Sequence, residues 1–335
     1  MSRLAFERET FMAELLDPRR GFELTRTTVE VRRDPLTGHS ARILPPGSFP
    51  PPARHDLERL AAETRDACPF CAERIEEQTP RLPPEVSAAG RIGSGKALLF
   101  PNIAPYAKWS SVSVYSPDLH LLPLPDLTPP LIADNLRTQR DFGRAVLAAD
   151  PEAKWISVNA NHLPPSGSSI FHPHLQGSAH PLPTTMQRLL AAVPPKHPAA
   201  YVAAERAEGA RHVFSAGGID WIAGFAPLGP AEICAFVDGV GAPHELEDGR
   251  IQELGRGISA VLRVYDGLGF QSFNLAFYGV PGAETLLVRL VARAYFGAAE
   301  RSDAMWSERL QWEAATDIAP EHVAELARAA VATVP

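Results

Sequence analysis

Ser168-Ser169-Ile170-Phe171-His172-Pro173-His174-Leu175-Gln176 is the stretch on which the reading of this chain turns. Two histidines and a glutamine alternate with other residues. In an extended strand, alternate side chains share a face. Three groups able to hold a metal or a phosphate then converge on one site. Neutral imidazole is a nucleophile near pH 7, which suits phosphoryl chemistry. A bare His-x-His also arises by chance in solvated loops, so the rest of the chain must decide. Pro173 lacks an N–H, which places this strand at an edge or a bulge and leaves the backbone open to a ligand phosphate.

The bulk properties narrow the function classes. The chain has 335 residues, enough for one large core or two smaller ones. Its net charge of −7 argues against a broad nucleic-acid-binding surface, which needs clustered Lys and Arg. A pocket for one phosphate is compatible with that charge. The N-terminal Met1 to Glu9 is charged and carries no apolar h-region, so no signal peptide is expected. No apolar run approaches the ~20 residues of a membrane span. With three cysteines, two of them close together, a reducing cytoplasm is the simplest home. Cys234 sits in the apolar run Ile233 to Val237 and reads as a buried small hydrophobe.

Outward from the histidines, the periodicities suggest a repeat. Residues 1–60 read as an irregular arm, with a strand at Arg26 to Arg32 and a turn at Asp34-Pro35-Leu36-Thr37-Gly38. Ala97 to Phe100 and Ser110 to Tyr115 read as strands, Leu131 to Ala149 as a helix, and Trp155 to Asn159 as the next strand. The second half follows the same order. Strands at His212 to Ala216, Trp221 to Phe225 and Glu232 to Val237 precede a helix over Ile251 to Tyr265. Strands at Gln271 to Tyr278 and Leu286 to Tyr295 follow. Val291-Ala292-Arg293 stands where the histidines stood, so only one copy keeps them.

Cys68-Pro69-Phe70-Cys71 admits three readings: two buried thiols, a redox dithiol, or half of a tetrahedral zinc site. The redox reading wants a helix starting at the first cysteine, and these residues look loop-like. No histidine follows at zinc-finger spacing. His120 and His172 are the candidates for the missing ligands.

These motifs, in order, resemble a known family. The Asp34 to Gly38 turn comes first, then Cys-x-x-Cys, Phe100-Pro101-Asn102, and Ser116-Pro117-Asp118-Leu119-His120. Asn161, Ser169 and His172-Pro173-His174-x-Gln176 complete the series. Together they are similar to the galactose-1-phosphate uridylyltransferases of the histidine-triad superfamily. The likeness covers about residues 26–180 and weakens beyond 200. It implies an α+β fold of two tandem histidine-triad-like units with antiparallel sheets and flanking helices. The expected boundaries are 1–195, with the zinc site and catalytic histidine, and 196–335 without them.

The resemblance also implies roles. Cys68, Cys71, His120 and His172 match structural zinc ligands. His174 matches the nucleophile that forms a covalent nucleotidyl-histidine and releases a sugar 1-phosphate. Gln176 and Ser169 match phosphate contacts, Asn161 a nearby polar contact, and Asn102 the stretch touching the nucleoside. The implied substrates are a nucleotide sugar and a sugar 1-phosphate, and the implied assembly is a homodimer whose subunits share active sites. In that picture the segment Trp306 to Asp317, with Gln311 and Glu313 as its polar candidates, shapes acceptor choice.

Departures bear on the substrate. The second-half metal motif of some members is absent from Leu290 to Tyr295, so a second metal is not expected. The family's sugar-phosphate glutamine aligns near Ala315. Arginines expected after the Asp-Pro-Leu-Thr-Gly turn are missing from Pro45 to Pro52, leaving Arg42 as the substitute. Leu119 enlarges the Ser-Pro-Asp-His motif. Three functions follow: a sugar-1-phosphate nucleotidyltransferase, a phosphorylase or hydrolase of a nucleoside diphosphate sugar or dinucleotide, or a non-catalytic zinc-stabilised nucleotide-binding protein.

Overall fold

The computed structural model describes residues 4–295, 308 and 311–331. Strands β1 (Glu7–Asp17), β2 (Glu23–Arg33) and β3 (Ser40–Ile43) come first, then helices α1 (Leu57–Arg65) and α2 (Ile75–Gln78). The first unit continues with β4 (Ile92–Ser94), β5 (Ala97–Pro101), β6 (Trp109–Val114), α3 (Pro129–Ala149), β7 (Trp155–His162) and β8 (His174–His180). Helices α4 (Thr185–Ala191) and α5 (His197–Glu208) lead to β9 (His212–Ala216), β10 (Ile219–Ala223) and β11 (Ile233–Asp238). Next come α6 (Asp248–Gly267), β12 (Ser272–Tyr278), β13 (Thr285–Arg293), β14 (Ala314–Thr316) and α7 (Pro320–Val331).

The duplication is visible in the order of the ten-stranded sheet, β4-β5-β6-β8-β7-β12-β13-β11-β10-β9. Each half contributes three strands, a helix and two strands, and each half places its fifth strand beside its third. The halves meet where β7 and β12 pair antiparallel, from His162 opposite Phe273 to Ser157 opposite Tyr278. Residues on both sides of position 195 therefore hydrogen-bond in one sheet. Among the described residues no helix is long and apolar enough to cross a membrane.

One face of this sheet is covered by α3 and α6. Ile132, Leu136, Phe142 and Val146 recur at helical spacing and are buried. So are Ile251, Leu254, Ile258, Val261 and Tyr265 of α6. They pack on strand residues that alternate with period two, such as Val158, Ala160 and Leu175, then Leu275, Val288 and Leu290. The two helices come close at Gly255, where a Cβ would lie 2.7 Å from the Pro129 carbonyl oxygen. The side chains between these positions point to the opposite face, and there the chemistry lies.

The structure corrects two expectations. The N-terminal arm is not irregular: β1 and β2 form a ribbon of eleven residues each, in unbroken register from Glu7 opposite Arg33 to Asp17 opposite Glu23. Nearly all of β1 is exposed, so no burial period marked it as a strand. The histidine segment is also only partly a strand. β8 begins at His174, and His172 and Pro173 belong to the preceding loop. Pro173 does not mark an edge, because β8 lies between β6 and β7. It sits just ahead of the strand, where no ladder N–H is needed.

The Asp34 turn forms as expected. Asp34 Oδ1 accepts from the backbone N–H groups of Leu36 (2.9 Å) and Thr37 (2.8 Å). Its other oxygen faces Arg289 of β13 at 3.2 Å. Arg289 also meets Glu232 at 3.0 Å, and all three side chains are buried. Burial alone would raise the Asp34 carboxyl, but Arg289 and the turn's donors hold it below its ordinary 3.8. Arg289 thus ties the N-terminal segment to the second-half sheet. Arg289→Met should destabilise the protein by about 3–5 kcal/mol, because two buried carboxylates lose their counter-charge. Denaturant unfolding measures this, and a loss as small as an exposed pair's, under about 1 kcal/mol, would contradict it. Because the folded Asp34 value is depressed, its contribution is complete above the unfolded carboxyl value and is lost as the pH falls through the folded one.

Candidate metal centre and active site

The Cys-x-x-Cys loop links α1 to α2, and the Cys71 carbonyl accepts from the N–H groups of Arg74 and Ile75, both at 2.9 Å. This turn brings the thiols of Cys68 and Cys71 to two histidines far along the chain. Cys71 Sγ lies 3.3 Å from His120 Nδ1 and 3.7 Å from His172 Nδ1. Cys68 Sγ lies 3.7 Å from His172 Nδ1. All four ligand atoms fall within 4.8 Å of one another, and all four residues are buried. Ligands held tetrahedrally about 2.0–2.3 Å from a zinc ion sit about 3.3–3.8 Å apart. The cluster has that size.

The outer nitrogens test the fit. His172 Nε2 lies 2.9 Å from the Ser116 carbonyl, which can only accept, so Nε2 carries the proton and Nδ1 offers its lone pair inward. His120 Nε2 faces Thr64 Oγ1 at 3.0 Å. Such outer partners fix the tautomer and aim the ring of a metal-bound histidine. Burial, with the Cys68 thiol alongside, pushes the Cys71 thiol up to about 12. Burial also pulls His172 down to about 4, so it stays neutral. Two soft sulfurs and two neutral imidazoles suit zinc. The closed set of four, without an open position, suits a structural ion.

His174 opens β8 and is held by its neighbour. Its Nδ1 lies 2.8 Å from the His172 carbonyl, so Nδ1–H donates and Nε2 keeps its lone pair. Burial holds the ring below its ordinary value and therefore neutral. The Phe70 ring stands nearly perpendicular to it at 5.4 Å. The Cys-x-x-Cys loop therefore borders both the metal cluster and this imidazole.

Gln176 shares with His174 the face of β8 that lies away from α3 and α6, and it stands opposite Asn159 on β7 and Val112 on β6. Asn161, two residues beyond Asn159, is on the same face. Gln176, Asn159 and Asn161 are half-buried, whereas His174 and Val112 are buried. Ser157 and Ser178 meet across the strands at 2.7 Å, and Asn159 donates to Ser157 at 3.0 Å. The Asn161 and Asn274 amides meet at 2.7 Å, and Asn274 also donates to the Ser166 carbonyl at 3.0 Å. Arg293 donates to Asn274 Oδ1 at 2.9 Å, which links β13 of the second half to the loop before the histidines.

Not every predicted residue joins this group. Ser169 is exposed in the loop between β7 and β8. Asn102 follows β5 at the rim, where its side-chain oxygen accepts from the Ala104 N–H at 3.0 Å. Glu313 bonds Ser40 and lies 3.3 Å from Arg42, which ties β14 to β3. Gln311 is exposed, and Trp306 lies outside the described residues. Val291 and Arg293 border a cavity of about 500 Å³ together with Phe49, Pro230 and Ile318. Ser157, Asn159, Ser178 and Asn274 were not anticipated. The alternation Ser157-x-Asn159-x-Asn161 signals them in the sequence. Nothing local signals Thr64 or Ser116.

No protein-family model matches this chain. An uncharacterized protein of Archaeoglobus fulgidus is 28% identical over 338 residues, covering 96% of this chain and 97% of that protein. Among solved structures, a GalT-like protein from Arabidopsis thaliana superposes with a TM-score of 0.66 at 19% identity, covering 89% of this chain and 98% of that one. An ADP-glucose phosphorylase from Arabidopsis thaliana, with ADP-glucose bound, gives 0.66 at 18% identity, covering 90% and 98%. A uridylyltransferase gives 0.61 at 19% identity, covering 91% and 99%. The expected α+β architecture is borne out: the chain has the fold of GalT-like proteins.

The metal centre makes its own prediction. Protein purified without chelator should carry about one zinc ion per chain, read by elemental analysis. Cys68→Ser should lower metal content and thermal stability together. Thr64→Val should weaken metal binding by about 10–100-fold, through the ring it orients. Metal-free protein with undiminished stability would reject the site.

Proposed function

We propose that this chain is a divergent GalT-like enzyme that transfers a nucleoside monophosphate through a covalent intermediate on His174. The observation that carries this reading is the tautomer lock. The His172 carbonyl accepts a hydrogen bond from Nδ1–H, so a neutral ring keeps its Nε2 lone pair for attack, on the sheet face it shares with Gln176. In the first half-reaction Nε2 attacks the α-phosphorus of a nucleoside diphosphate sugar. The N–P bond forms as the bond to the bridging oxygen breaks, and the sugar 1-phosphate leaves with that electron pair. In the second, an acceptor oxygen attacks the same phosphorus and the electron pair returns to Nε2. Gln176, Asn161 and Ser169 supply neutral hydrogen-bond donors for the non-bridging oxygens as charge shifts in the transition state. Asn102 is assigned to the nucleoside. Cys68, Cys71, His120 and His172 would hold zinc, which would join the loop carrying Phe70 to the loop carrying His172.

Phosphate as the acceptor is the second reading, and a specific observation favours it. Arg42 pairs with Glu313 at 3.3 Å, and Ala315, beside it in β14, has no polar side chain to offer a sugar phosphate. The likeness to an ADP-glucose phosphorylase points the same way.

A panel of nucleotide sugars labelled in the α-phosphate tests both readings. Label should become acid-labile and protein-bound, and sugar 1-phosphate should appear in equal amount. His174→Ala should retain its metal and lose labelling and turnover by at least about a thousandfold. A labelled His174→Ala variant would overturn the assignment. Chasing the intermediate with phosphate or with sugar 1-phosphates separates phosphorylase from transferase.

A further inference from the structure

The cavity of about 500 Å³ beside β13 has no part in the site described above. Val291 and Arg293 of β13 form its floor. The loop after β3 supplies one wall with Phe49, and the loop between β10 and β11 a second with Leu228 and Pro230. The stretch from β14 into α7 supplies a third with Asp317 and Ile318. Backbone hydrogen bonds hold these walls in place. The Ala292 N–H donates to the Pro230 carbonyl at 2.9 Å, the Leu44 N–H to the Thr316 carbonyl at 2.8 Å, and the Ala53 N–H to the Tyr295 carbonyl at 2.7 Å. Pro50, Pro51 and Pro52 also line the cavity, and their fixed φ angles keep that segment from collapsing inward. Protein interiors leave few voids larger than a water molecule. A preformed, mainly apolar hollow of this volume has the dimensions of a small-molecule site.

The few charged groups on the wall indicate what it takes. Among the described residues Arg293 is the one cation there, and Glu308 and Asp317 are anions, so the lining is net negative. Arg293 is engaged with β12, where it donates to Asn274 Oδ1 at 2.9 Å. Asp317 is anchored differently. Its Oδ2 accepts from the Phe49 N–H at 2.9 Å, which fixes the carboxylate between two walls. Among the described residues no Arg, Lys or His pairs with Asp317, and its Oδ1 has no donor. A carboxylate flanked by apolar walls attracts a cation more strongly than it would in bulk water, because the surroundings screen less. An anionic ligand would meet like charge, and a hydrocarbon would leave Oδ1 without a donor. Phe49 and Phe270 bring two aromatic rings to the same cavity, a surface for the apolar body of a ligand.

We propose that this cavity binds a small organic amine. Its ammonium group donates to Asp317 Oδ1, and its apolar body lies against Phe49, Phe270 and Val291. The site stands apart from the nucleotidyl chemistry of His174 and does not rest on it.

Phenylpropylamine, phenylpropanol and phenylpropanoate share one apolar body and differ only at the terminal group, so calorimetric titration with the three probes reads the site's charge preference. The amine should bind at least about tenfold more tightly than the alcohol, because a charge-assisted hydrogen bond replaces a neutral one. The carboxylate should not bind. Asp317→Asn keeps an acceptor for the Phe49 N–H and removes the charge, and the amine should then bind no better than the alcohol. Val291→Phe, which fills the cavity from its floor, should abolish binding of both. His174→Ala should bind the amine as the wild type does. Circular dichroism checks that each variant is folded, and the comparison of probes on the wild-type protein needs no variant. No saturable amine binding up to millimolar concentration would overturn the proposal. So would equal affinity for amine and alcohol, or amine binding undiminished in folded Asp317→Asn or Val291→Phe.

Discussion

His172 is held from three sides, and the architecture of the site depends on that. Its Nδ1 joins the two thiols and His120, its Nε2 binds the Ser116 carbonyl, and its own carbonyl accepts from His174 Nδ1. A metal bound by this cluster would fix the backbone carbonyl that decides which nitrogen of His174 keeps its lone pair. The cluster also draws together the loop after α1, the loop after β6 and the entry to β8, which are 49 to 104 residues apart in the chain. Without an ion, two buried thiols and two buried imidazoles would gain little from being adjacent. The unmetallated site has no evident reason to hold its shape.

The duplicated sheet puts this arrangement in context. β8 and β13 occupy equivalent places beside the central β7–β12 pair, and each presents alternate residues to the face away from α3 and α6. β8 presents His174, Gln176 and Ser178. β13 presents Arg289, Val291 and Arg293. In the second half this face is therefore structural. Arg289 anchors the Asp34 turn through a buried ion cluster, and Arg293 steadies Asn274, which in turn meets Asn161. The first unit carries His174, and the second joins that unit across the shared strand pair.

Much of this was legible in the sequence because it is written in local patterns. The helical spacing of Leu131 to Ala149 and Ile251 to Tyr265 reports burial against a sheet, and α3 and α6 contain both stretches. The four candidate metal ligands were legible as a set through the family resemblance, since the residues alone offered only the Cys68–Cys71 pair with His120 and His172 as candidates. What stayed hidden depends on distant partners. Arg289 reads as one charge in an apolar strand until Asp34 and Glu232 are seen around it. The β1 strand had no burial period to read, since all of its residues but Asp17 are exposed. His172 looked like a strand residue because alternation alone cannot show where a strand starts. Its ring instead meets Cys68, Cys71 and the Ser116 carbonyl.

The central claim is that His174 rests as a neutral imidazole protonated at Nδ1, with Nε2 free to attack. Long-range proton–nitrogen correlation NMR on protein labelled with nitrogen-15 at its 11 histidines reads this directly, with His174 assigned by its loss in His174→Gln. At neutral pH the account predicts a protonated Nδ1 and an unprotonated Nε2 in the metal-loaded protein. A proton on Nε2, or on both nitrogens, would contradict it.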